Sequence, residues 1–85
     1  MKHAGAAALG SVEDVLSALR ARSELTERKP GIFYRKSAAF LHFHEDPAGL
    51  FADVKADSRG FERLPVSTAG EKQALLACIE RTLGC

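Results

Sequence analysis

Apolar and polar positions alternate from Ile32 to Lys55, and a period of two is the mark of strands. Glu45-Asp46-Pro47-Ala48 interrupts the alternation with turn material, because the carboxylates accept local backbone bonds and proline presets φ. A four-residue loop there sets His44 against Gly49, Phe43 against Leu50, Leu41 against Ala52 and Ala39 against Val54. Ala39, Leu41, Phe43, Leu50, Ala52 and Val54 then share one wholly apolar face, since side chains alternate along a strand. A preceding hairpin turns at Lys36-Ser37, although primed two-residue turns favour Gly or Asn. It sets Tyr34 opposite Ala39 and Ile32 opposite Leu41, on the same apolar side. The other face receives Phe33, Arg35, Phe40, His42, His44, Phe51, Asp53 and Lys55.

The flanks read as helices. Ser11 opens the first, and Val12, Val15, Leu16 and Leu19 form its apolar stripe. That helix ends by Leu25, and Arg28 and Lys29 lie in the connector leading to Pro30-Gly31. Ala56 to Gly60 is a turn, and Phe61 to Val66 is a last strand, placed at an edge because Pro65 has no N–H for the ladder. Thr68 and Glu71 make a capping box for a second helix with Ala74, Leu75, Cys78, Ile79 and Leu83 on its apolar side, and Gly84 at its end. The prediction is a two-layer α+β fold: helix, four-stranded antiparallel meander, helix, with both helices on one sheet face. Residues 1–10 are expected to be a flexible tail and 11–85 a single domain.

Composition narrows the function classes. A chain of 85 residues, 46% hydrophobic and 27% charged, is that of an ordinary small globular domain. Its net charge of +1 exerts no global pull on nucleic acid or anionic membrane. No run approaches the ~20 apolar residues of a membrane span. Ala4 to Leu9 is too short and too alanine-rich for a secretory signal, so a cytoplasmic protein is expected. Cys78 and Cys85 are separated by about 10 Å of helical rise, which reads as a buried thiol and a terminal one.

The run from Arg28 to Asp46, followed by L-F-A-D-V-K from Leu50, resembles the central sheet of the MmcQ/YjbR-like proteins. Phe33, Phe40 and the Val54-Lys55 pair stand at matching places. The resemblance covers the middle third of the chain and implies a small α+β fold with an open sheet. It raises DNA binding as an expectation, with no site residue carried over.

Two constellations could carry chemistry. His42 and His44 share a strand face, as imidazoles in metal sites often do, with Asp53 across the hairpin as a third ligand. No cofactor is expected other than a metal such as zinc at these residues. Arg28, Lys29, Arg35 and Lys36, interleaved with aromatics, could meet phosphate and bases, but nearby Glu24, Glu27, Glu45 and Asp46 dilute their potential. Ser37, Ser58, Ser67 and Thr68 fall at turns or caps, where hydroxyls serve the backbone, and there is no glycine-rich phosphate loop. The expectation is a binding module rather than an enzyme. Its contact surface would be the Phe33, Phe40 and Phe51 face, rimmed by Arg35, His42, His44 and Asp53. Self-association, a protein or a small apolar ligand would occupy it.

Overall fold

A computed structural model describes residues 2–57 and 60–84. The elements are β1 (Lys2–His3), α1 (Ala6–Gly10), α2 (Glu13–Arg20), β2 (Leu25–Lys29), β3 (Ile32–Arg35), β4 (Ala38–Asp46), β5 (Gly49–Asp57), β6 (Gly60–Pro65) and α3 (Ala69–Gly84). The fold is α+β, with an antiparallel sheet in the order β2-β3-β4-β5-β6 and β1 paired to the end of β4. The main path has five strands, one more than expected. Leu25–Lys29, read as connector, pairs with β3. Its L-T-E-R-K sequence offers no apolar alternation, so only its neighbour makes it a strand. Within the stretch expected to be a tail, Lys2–His3 pair with β4 and Leu9 reaches the core. The Ala56–Gly60 turn lies partly, and Cys85 wholly, outside the described residues.

The β4–β5 loop is two residues long, Pro47-Ala48, with Asp46 paired to Gly49 and Phe43 to Ala52. Asp46 Oδ1 accepts from the Ala48 N–H at 2.8 Å, which lets the turn close without the four-residue loop expected. The pairing moves by two positions, so the faces survive: Leu41, Phe43, Leu50, Ala52 and Val54 are all buried.

The β3–β4 register corrects the sequence reading more deeply. The turn sits at Lys36-Ser37 and Tyr34 faces Ala39, as expected, but Phe33 faces Leu41 and Ile32 faces His42. Phe40 is therefore the extra residue of a β-bulge, and Phe40 and Leu41 both enter the core. Phe33 and Phe40 are 1% and 3% exposed, so they form no surface patch, while Ile32, Tyr34 and Ala39 move to the opposite face. A bulge gives up one ladder hydrogen bond, about 0.5–1.5 kcal/mol net. Burying each phenyl ring returns about 1.5–3 kcal/mol, and the rings prevail.

The core closes between that sheet face and the helices. Leu9 comes from α1, Val15, Leu16 and Leu19 from α2, and Leu75, Cys78, Ile79 and Leu83 from α3. Ser11 closes α1 instead of opening α2: its hydroxyl donates to the Ala8 carbonyl at 2.7 Å. The capping box at α3 is present, with Glu71 N–H to Thr68 Oγ1 at 3.1 Å and Thr68 N–H to Glu71 Oε1 at 3.0 Å. Gly31 turns β2 into β3 at φ 77°, and a Cβ there would stand 2.8 Å from a Leu9 methyl. Glu27, on the core side, takes two hydrogen bonds from Arg20 at 2.6 and 3.1 Å and one from the Gly31 N–H at 3.0 Å, which fastens α2 to β2. Among the described residues no helix is long and apolar enough to cross a membrane.

Candidate functional site

The sheet face turned away from the helices carries the remaining chemistry. Register brings His42 directly opposite Asp53, Asp53 opposite Arg63, and His44 opposite Phe51. One row of functional groups thus crosses β4, β5 and β6. His42 and His44 stand two apart on β4, so their rings share the face, and they meet edge on with centroids 4.5 Å apart.

The donor atoms converge closely. His42 Nδ1 lies 2.5 Å from His44 Nε2, and His44 Nε2 lies 3.0 Å from Asp53 Oδ2. His44 Nε2 faces both His42 Nδ1 and the Asp53 carboxylate, and the tautomers decide which ring donates to which. Arg63 holds the far side of the carboxylate in a fork, donating through Nε to Oδ1 at 2.8 Å and Nη2 to Oδ2 at 3.1 Å. Asp53 is only 8% exposed, and burial alone would push its carboxyl upward. The Arg63 hydrogen bonds outweigh burial and, with the nearby imidazoles, hold it below the usual carboxylate range. Phe61, 46% exposed, covers His42 from β6 with ring centroids 5.2 Å apart.

His42, His44 and Asp53 each offer one ligand atom, all within 4.8 Å of one another. The three residues expected as ligands are therefore brought together. Zinc with bonds of about 2.0–2.1 Å spaces tetrahedral donors about 3.3 Å apart. The two closest separations, 2.5 and 3.0 Å, are shorter than that, so the rings would turn slightly apart to admit an ion. Arg63 was not singled out in the sequence. Nothing local marks it, because Arg63 meets Asp53 only through the pairing of β6 with β5.

The basic set divides. Arg35 pairs with Leu25 on the helix-side face, where its charge is felt by Glu24, and Lys36 is exposed at the turn. Arg28 and Lys29 lie elsewhere, in a groove of about 610 Å³ lined also by Ile32, Tyr34, Ala39 and His42. Of the surface residues expected around three phenyl rings, Phe51, His42, His44 and Asp53 are on this face and Phe33, Phe40 and Arg35 are not. Comparisons with protein-family models, curated proteins and solved structures found no match to the chain.

Proposed function

We propose that the protein binds a transition-metal ion, zinc being the reference case, through His42, His44 and Asp53 on its open sheet face. The supporting observation is the convergence of two imidazole nitrogens and a carboxylate oxygen within 4.8 Å. Neutral imidazole and carboxylate suit zinc and its first-row neighbours. Arg63 would be the outer partner that orients the carboxylate, as ligating groups commonly require. Three protein ligands leave a position open in a tetrahedral site, the arrangement of metal centres that meet a further ligand.

Chelator-stripped protein should take up one equivalent of zinc by calorimetry, and cobalt should give the visible absorption of a low-symmetry site. His42→Ala with His44→Ala should weaken zinc by roughly a hundredfold or more, since two of three ligands are gone. Uptake should fade on acidification, because protons compete with the metal for the same ligand atoms. Zinc uptake that is absent, or is unchanged in the double variant, would leave the four residues as a hydrogen-bonded strut and end the proposal.

A further inference from the structure

The groove beside the histidine pair is built by two irregularities that share a strand. In β2 the register jumps between Glu27 and Lys29, and in β4 it jumps across Phe40. Both bulges flank β3. Bulges bend a strand and re-aim its side chains, and they gather beside functional sites. Here the first bulge brings two consecutive basic residues, Arg28 and Lys29, to one hollow, which a regular strand would send to opposite faces. The second sends Phe40 and Leu41 inward together, leaving the small Ala39 as part of the groove floor beside Ile32 and Tyr34.

The hollow has a charged end and an apolar body. The Arg28 guanidinium carbon lies over the Tyr34 ring, 4.6 Å from its centroid, and so is fixed in place. Among the described residues, neither Arg28 nor Lys29 has a carboxylate partner. Arg20 and Arg22, by contrast, each hold two, and Arg63 holds one. The other titratable groups lining the groove are Tyr34 and His42, and no carboxylate is among its lining residues. A volume of about 610 Å³ falls in the range of about 300–1,000 Å³ typical of small-molecule sites.

We infer that this groove binds a small organic anion, a carboxylate, sulfonate or phosphate carried on a flat apolar body. The anionic group lies at Arg28 and Lys29, and the body lies along Ile32, Tyr34 and Ala39 toward His42. The inference does not rest on a metal at His42, and its test is run with EDTA present throughout.

The probe is anilinonaphthalene sulfonate, an aromatic anion whose fluorescence rises on binding. Its comparator is phenylnaphthylamine, which has the same rings without the sulfonate. The sulfonate should bind roughly tenfold tighter or better, as expected of a charge-assisted contact. Arg28→Gln with Lys29→Gln should bring it down to the level of the neutral compound, leaving the latter unchanged. Arg81→Gln on the exposed side of α3 should alter neither. Amide resonances of Ile32, Tyr34 and Ala39 should shift on titration, and the urea midpoint of the double variant should match wild type. Equal binding of the two compounds, or sulfonate binding that survives the double variant in folded protein, would overturn the assignment.

Discussion

At the scale of single residues, the decisive pair is Ala39 and Phe40. They are neighbours in sequence, yet Ala39 is exposed in the groove and Phe40 is 3% exposed in the core. Phe40→Ala should cost roughly 3–5 kcal/mol, the usual range for emptying a buried aromatic site. Ala39→Ser should change stability by no more than about 0.5 kcal/mol. Urea unfolding of the two variants measures both. Similar losses at both positions would place the bulge elsewhere and return Phe40 to the surface.

Among elements, the β3–β4 hairpin stores strain. Lys36 and Ser37 have φ of 51° and 70°, a backbone region that costs residues other than Gly and Asn on the order of 1 kcal/mol or more each. The two-residue loop needs positive φ at both central positions to match the strand twist. Lys36→Asn with Ser37→Gly should therefore stabilise the protein by about 1 kcal/mol or more, read as a higher urea midpoint at unchanged slope. A lower midpoint would mean that the native side chains there contribute more than their backbone costs. Helix α3 is the opposite case: its box of Thr68 and Glu71 was plain in the sequence, because a cap needs only residues three apart.

For the molecule as a whole, Asp53 links three strands, meeting His44 on β4 and Arg63 on β6 from its place on β5. Its folded carboxyl is held below the usual range, chiefly by Arg63. Such a group contributes its full stabilisation above the unfolded value of about 3.9. The contribution is lost as pH falls through the lower folded value. Wild type should lose urea resistance on acidification below about pH 4, and Asp53→Asn should show a shallower loss across that window. Glu27, lowered chiefly by its hydrogen bond from Arg20, leaves part of the acid sensitivity in place. Identical slopes for the two proteins would show that the Asp53–Arg63 fork does not feed into folding.

Local patterning determined a good deal by itself. The apolar stripe of α2, the face of β5, the turn at Lys36-Ser37, the edge position of β6 and the cap of α3 follow from residues a few positions apart. So does the gathering of His42, His44 and Asp53 on one face, because H-x-H fixes parity within a strand and a two-residue slip across the hairpin preserves it. The tertiary structure decided the rest. A bulge breaks the count of two, and nothing local marks Arg28 or Phe40 as the extra residue. The choice at Phe40 is made by burial against helices that lie far off in sequence. Strand β2 exists only because β3 offers it a ladder. The fork from Arg63 and the basic groove depend in the same way on neighbours that the sheet brings together, and period-two reading along one strand carries no information about them.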